Sequence, residues 1–304
     1  MTAKKHLIIV IGPTAIGKTG RAIEIAKHFG CEIISADSRQ FFNEMTIGTA
    51  VPSADELAAV KHHFIQNKSI FRNYTVGDFE KDAILTLDEL YKDSDLAVLI
   101  GGSGLYIDAV LKGFDDFPEI DPSVREALAV KFESNGIGYL QQELQRLDPD
   151  YFLAVDTGNP QRMMRALEVT IGSGKPFSSY LKGQTTKRNF TPILIGLTAE
   201  REVMYDRINR RVDIMMADGL LDEAKKLYPH RELNALQTVG YRELFDYIEG
   251  KYDLDFAFAE IKKNTRRFAK RQMTWFRKNP AIEWFDFDIP AETIISHIDK
   301  KIHQ

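Results

Sequence analysis

Two hydrophobic rhythms alternate along the chain. Short, mostly apolar runs occur at residues 7–11 (LIIVI), 31–36 (CEIISA), 96–100 (LAVLI), 192–197 (PILIGL) and 282–287 (IEWFDF), of which LAVLI is fully apolar. Runs of this length with no polar alternation predict strands covered on both faces, as in a parallel sheet. Helical spacing fills the intervals. RAIEIAKHF follows the first strand, and VGDFEKDAILTLDELYKD (76–93) sets Phe79, Ala83, Leu87 and Leu90 on one face. Residues 47–75 read as loop. At FDDFPEIDP the chain becomes acidic and carries two prolines, the signature of a boundary. The next seventy or so residues show helical patterns (SVREALAVKFES, GYLQQELQRL) and no strong strand. The sheet then resumes and leads into EREVMYDRINRRVDIMMADG, a helical pattern broken at Gly219. The reading is an α/β core at 1–115 and 190–304, interrupted by a helical insertion domain at 116–189.

Composition narrows this picture only a little. The chain has 304 residues, enough for one large domain and a smaller one, with 44% hydrophobic and 28% charged residues. A net charge of −4 excludes a globally basic nucleic-acid binder but not a local basic patch. Cys31 is the only cysteine, so neither an internal disulfide nor a cysteine zinc finger can form. His62 and His63 are adjacent, point in different directions and lack a metal partner at useful spacing. The N-terminal MTAKKHLIIVI superficially resembles a signal peptide, but its apolar part is short and runs into a glycine-rich loop, so it reads as the first strand. No run approaches the ~20 residues that span a bilayer. A cytoplasmic protein without a membrane partner is expected.

The strongest chemical signal is that loop, GPTAIGKT at 12–19, which sits between strand and helix. In this order G-x-x-x-x-G-K-[ST] has a mechanism: the glycines turn the backbone so that its N–H groups form an anion cradle. The helix beginning near Lys18 adds the positive end of its dipole. Lys18 supplies a point charge for a terminal phosphate, and the Thr19 hydroxyl a ligand for Mg²⁺. The loop specifies phosphate without specifying the compound. With it the fold class becomes a phosphate-loop NTPase-like parallel sheet.

Three further features stand out. Asp37 closes the second strand, where ligands of α/β sheets bind; its alternative reading is a cap for the next segment, with Ser38 sharing that role. Ser103 lies in GGSGLYIDAVL, either as a helix cap or as a hydroxyl facing the ligand. That strand lacks the terminal Asp that holds the metal in many phosphate-loop ATPases, which weighs against ATP hydrolysis. Finally, 261–278 (IKKNTRRFAKRQMTWFRK) holds eight basic residues, Arg271 among them, and no acid. Ile261, Phe268 and Trp275 recur every seven residues as the expected inward stripe, leaving a positive ridge of the kind a polyanion selects.

In their order, GPTAIGKT, ADSRQFF, IGTA (47–50), GGSGLYIDAV, NPQRMMRALEV, INRRVDIMMADGLLDEA, QTVGYRE (237–243) and TRRFAKRQMTWFRK resemble the bacterial tRNA dimethylallyltransferases, the tRNA isopentenyltransferase family. The resemblance covers nearly the whole chain. It implies Mg²⁺-dependent transfer of a dimethylallyl group from dimethylallyl diphosphate to the exocyclic amine of the adenosine 3′ to the anticodon. Gly12, Pro13, Thr14, Ala15, Ile16, Gly17, Lys18 and Thr19 would then hold the diphosphate, with Thr19 on the metal. Asp37 would be the base, with Lys18, Thr19 and Ser103 completing the catalytic set. Asp37, Ser38, Arg39, Gln40, Ser103, Arg125, Gln161, Arg162, Met163, Met164, Arg165 and Arg271 would meet the tRNA anticodon arm. Ser103 stands where the family usually has Thr, and Phe41-Phe42 replace a commoner Val-Tyr pair. No obligate protein partner is implied. The rival readings are a prenyltransferase of free adenine nucleotides, a phosphate-loop small-molecule kinase, and a non-catalytic RNA-binding switch.

Overall fold

The computed structural model describes residues 4–181 and 186–303. The parts of the expected boundaries that fall at 1–3, 182–185 and 304 lie outside the described residues. Six parallel strands form one sheet: β1 (His6–Ile11), β2 (Ile33–Ser35), β3 (His62–His63), β4 (Leu96–Gly101), β5 (Thr191–Thr198) and β6 (Glu283–Asp286), in spatial order β3-β2-β4-β1-β5-β6. Every residue of β1 is buried, because parallel strands at the centre of such a sheet are covered on both faces. The expected α/β class is what the molecule shows.

The helices of the first half are α1 (Lys18–Phe29), α2 (Ala54–Ala59), α3 (Val76–Asp93) and α4 (Gly104–Lys112). Side chains of β1 alternate between the two faces. Leu7, Ile9 and Ile11 pack with Phe79, Ala83 and Leu87 of α3 and with Ile107 and Val110 of α4. Ile8 and Val10 face α1 through Ala22, Ile25 and Ala26. Residues 47–75, expected as loop, carry α2 and the two-residue β3. Ser53 and Glu56 form a capping box at the start of α2, each side chain bonding the other's backbone N–H. A strand of two residues at a sheet edge is too short to impose any hydrophobic period.

Residues Gly113–Thr186 gather into a compact unit of their own, built from α5 (Pro122–Asn135), α6 (Ile137–Leu147), α7 (Pro149–Ala154) and α8 (Pro160–Ser173). Its core joins Leu128, Leu140, Leu144, Met163, Leu167 and Phe177. Asp121, Asp148 and Asn159 cap α5, α7 and α8, each with a proline in the first turn.

The remaining helices, α9 (Arg201–Ala217), α10 (Leu220–Leu227), α11 (Tyr241–Ile248), α12 (Leu254–Phe276) and α13 (Ala291–Ile302), belong with the sheet. A third core of Phe41, Phe42, Met45, Val212, Leu220, Tyr241, Leu244 and Ile261 joins α9–α12 to the segment after β2. The inward face of α12 differs from the expected heptad stripe. Ile261, Ala269, Gln272, Met273 and Phe276 are buried, whereas Phe268 and Trp275 are 37% and 39% exposed. A straight helix turns every 3.6 residues, so a strict seven-residue repeat drifts off the buried line.

Glu223 of α10 organises the loop carrying IGTA. Its carboxylate accepts the N–H groups of Thr46, Ile47 and Gly48 at 3.1, 2.8 and 2.9 Å and the Tyr241 hydroxyl at 2.6 Å. Removing that acceptor strands four donors. Glu223→Ala should therefore lower unfolding free energy by about 2–4 kcal/mol, read as a shifted denaturant midpoint with unchanged slope.

Candidate active site

The ends of β1, β4 and β2 are neighbours, so the segments leaving them meet at the carboxyl edge of the sheet, where α/β folds place ligands. From β1 comes the phosphate loop. Gly12 has φ +151°, and a Cβ there would lie 2.6 Å from the Leu197 carbonyl, so only glycine fits. Ala15 also has positive φ, which turns the loop inward. The N–H groups of Ala15, Ile16 and Gly17 find no acceptor among the described residues, and the first-turn amides of α1 point the same way. Lys18 Nζ donates to the Pro13 carbonyl at 2.7 Å, and Arg207 Nε to that of Ala15 at 2.9 Å.

A cavity of about 460 Å³ opens over this loop, lined among others by Lys18, Thr19, Asp37, Gln40, Glu56 and Arg211. A second, of about 240 Å³, is lined by Ser38, Arg39, Ser103, Val212, Met215 and Val239, among others. Thr14, Asp37, Arg211 and Phe268 border both. Asp37 thus stands where the cavity over the phosphate loop meets a more apolar chamber.

Local bonds hold that carboxylate. Asp37 Oδ1 accepts the N–H of Arg39 at 2.9 Å and of Gln40 at 3.4 Å, an Asx turn that satisfies the capping expectation. Oδ2 has no donor among the described residues. The turn therefore engages one oxygen and leaves the other without a protein donor among the described residues. Gln40 braces the turn by donating to the carbonyls of Ala50 and Thr49 at 2.9 and 3.3 Å. Ser103 leaves its own helix uncapped; its hydroxyl accepts the Ser38 N–H and pairs with the Ser38 hydroxyl, both at 3.1 Å. Phe41 and Phe42 are buried in the third core.

Charge accumulates here. Burial, then the neighbouring Arg211, pull the Lys18 ammonium down to about 7, while Asp37 acts in the opposite direction. Burial also lowers Arg39 and Arg211, with Asp37 again opposing. Arg207 and Arg211, which sequence reasoning passed over, lie four apart on α9, one turn of the same helix face. That spacing in RINRR (207–211) was a readable signal. Phe268, read as core, instead faces both cavities, with the Arg271 guanidinium 5.7 Å from its ring centre. Arg271 itself is exposed, as are Arg267, Lys270, Arg277 and Lys278, and none has an ion-pair partner among the described residues.

In the Gly113–Thr186 unit, Arg125 and Arg165 converge on buried Glu168 at 2.8 and 3.1 Å, and Arg125 also bonds Gln161 at 3.2 Å. Arg162 is exposed. Met163 and Met164 are 0% and 5% exposed. The expectation that they meet RNA does not extend to their side chains, because the apolar period of α8 turns both into the core.

Among the described residues no group of three His, Cys, Asp or Glu side chains could hold a metal. The donor set fits a hard cation held by one protein hydroxyl, Thr19, together with phosphate oxygens and water. Nor is any described helix long and apolar enough to cross a membrane.

A parallel sheet with a phosphate loop and a strand-end carboxylate between two cavities defines a phosphate-loop enzyme of group-transfer type. The family model described as IPP transferase matches residues 40–279, and the chain belongs to that family. A tRNA dimethylallyltransferase of Flavobacterium johnsoniae is 61% identical over 97% of each chain. One of Christiangramia forsetii is 59% identical over 98% of this chain and 99% of its own. The crystal structure of the full-length tRNA isopentenylpyrophosphate transferase of Bacillus halodurans superposes with a TM-score of 0.73 at 38% identity, covering 99% and 97% of the two chains.

Bound diphosphate would return the Lys18 ammonium towards its ordinary, fully charged state. Above pH 7 the free protein lacks that proton and the complex needs it, so Lys18 gains one on binding. Pyrophosphate affinity relative to that of Lys18→Met, which has no proton to gain, should therefore fall by up to about tenfold per pH unit above 7. Calorimetry near pH 8 in buffers of different ionisation heat should show about one proton more taken up by the native protein than by Lys18→Met.

Proposed function

We propose that this enzyme transfers a dimethylallyl group from dimethylallyl diphosphate to the exocyclic amine of the adenosine 3′ to the anticodon of tRNA, releasing diphosphate. Family membership supports the reaction type, and none of the relatives supports a kinase or a prenyltransferase of free nucleotides. The observation that carries the site assignment is the position of Asp37 on the border shared by both cavities.

The donor's diphosphate would occupy the larger cavity, against the loop amides, Lys18, Arg207 and Arg211. As the carbon–oxygen bond breaks, its electron pair passes to the diphosphate, and these fixed donors stabilise the charge that develops there. Mg²⁺, held by Thr19 and the diphosphate oxygens, would supply further charge neutralisation. The smaller chamber would receive the adenine, which must leave its stack to reach the reacting carbon. Its amine is a weak nucleophile, because its lone pair is shared with the ring. As the new nitrogen–carbon bond forms, the amine proton passes to Oδ2 of Asp37, the oxygen left open by the Asx turn. Ser38, Arg39, Gln40 and Ser103 would fit the target nucleotide. Arg125, Gln161, Arg162 and Arg165, with the exposed cations of α12, would bind the backbone of the anticodon arm, the usual route to affinity for nucleic acid. In this reading the Gly113–Thr186 unit is the RNA-gripping insertion.

Incubation with unmodified tRNA, labelled dimethylallyl diphosphate and Mg²⁺ tests the reaction directly; absence of label on the RNA would overturn it. Asp37→Asn keeps the turn but removes the proton acceptor. Turnover should drop on the order of 10²–10⁴-fold while tRNA affinity stays within about twofold. In filter-binding titrations across salt, Arg271→Ala should weaken tRNA binding and reduce the magnitude of the log–log salt slope by about one.

A further inference from the structure

Within the Gly113–Thr186 unit, one buried carboxylate serves two cations. Glu168 of α8 is 9% exposed. Its Oε2 accepts Arg125 Nη1 at 2.8 Å, and its Oε1 accepts Arg165 Nη1 at 3.1 Å. The two arginines come from different helices, α5 and α8, and the side chain of each is nearly half exposed. Each is also held at a second point. Arg125 Nη2 donates to Gln161 Oε1 at 3.2 Å, and the Arg165 guanidinium lies 5.6 Å from the ring centre of Phe117. Gln161, Arg165 and Glu168 are spaced i, i+4, i+7, one stripe of α8.

Two guanidinium groups on one carboxylate are like charges kept adjacent. Without the acid they would repel and spread into solvent on flexible stems. With it the trio keeps a net positive charge and a fixed shape. Donors remain unspent: Nε of Arg125, and Nε and Nη2 of Arg165, have no protein acceptor among the described residues. Planar forks with open edges match the oxygens of a phosphate group. An acid beside a surface that binds a polyanion opposes that binding by charge alone. What it contributes instead is order, since each long side chain fixed beforehand need not be immobilised on association.

We propose that Glu168 is a positioning residue for tRNA: it holds Arg125 and Arg165 in one arrangement, with their free edges available to backbone phosphates. The inference rests on reading the Gly113–Thr186 unit as the part that grips the anticodon arm.

Filter binding of unmodified tRNA to the full chain at one fixed salt concentration tests it. Glu168→Gln removes a negative charge, so charge alone predicts tighter binding, whereas positioning predicts binding weaker by about tenfold. The losses should also be coupled. Arg165→Ala should weaken binding about tenfold in the native background and less than about threefold in Glu168→Gln. A merely structural role for Glu168 would make the two losses independent, and additive losses overturn the proposal.

Arg165→Lys, a change at an exposed side chain, keeps the test open if Glu168→Gln does not fold. It retains the charge but not the fork, and should bind tRNA at least about threefold more weakly than the native protein; equal affinity overturns the proposal. Native-like tRNA binding by Arg165→Ala removes the RNA-gripping reading of this unit and the positioning role with it. Weakened binding by Arg165→Ala with unchanged or tighter binding by Glu168→Gln removes the positioning role alone.

Discussion

One electrostatic constraint governs this molecule: at the carboxyl edge of the sheet, loop N–H groups without a protein acceptor among the described residues and the cations Lys18, Arg207 and Arg211 line one cavity with two carboxylates, Asp37 and Glu56. Lys18 shows the strain, since burial and Arg211 bring its ammonium down to about 7. A fold tolerates such a concentration of positive potential only where surrounding packing holds every member in place. Glycine at position 12 accepts the approach of the Leu197 carbonyl, Arg207 ties the Ala15 carbonyl, and Gln272 ties the Thr14 amide. The loop is thereby held in one arrangement, which under the proposed function is what preorganised stabilisation of a departing diphosphate requires.

Strand order does the rest of the positioning. With β1, β4 and β2 side by side, the phosphate loop, the Gly101–Gly102–Ser103 turn and Asp37 become neighbours although far apart along the chain. Helix α12 crosses this edge and combines two tasks. Its buried residues Gln272, Met273 and Phe276 join the core and brace the loop, while Phe268 borders both cavities and its exposed cations form a basic rim. The ridge expected from 261–278 is present, but the face it leaves for the core is another one.

Legibility followed the length and regularity of each signal. Helix α3 was readable to the residue from the face marked by Phe79, Ala83, Leu87 and Leu90, and the structure adds a Thr75–Asp78 capping box at its start. The phosphate loop was readable because its chemistry demands fixed spacing. β3 was not, since it has two residues and exists only by pairing with β2. Met163 and Met164 lie in a run resembling RNA-contacting segments, yet the helix period sends them inward. Arg207 and Arg211 carried a usable spacing, but without the tertiary arrangement nothing distinguished them from a solvated helix face.

The chain by itself determined the elements and the chemistry that depend on neighbours in sequence: buried strands, capped helices, an anion-binding loop and a strand-end acid. Such signals are local, written in spacings of a few residues that backbone geometry must obey. Only the tertiary structure decided which oxygen of Asp37 stays open, that Gln272 closes the loop from the far end of the chain, and that Phe268 lines a chamber instead of a core. The Asx turn that engages one Asp37 oxygen is local, but the cavities Asp37 borders, the Gln272 tie and the place of Phe268 depend on groups distant in sequence that meet only once the sheet is ordered, and no local pattern records such a meeting.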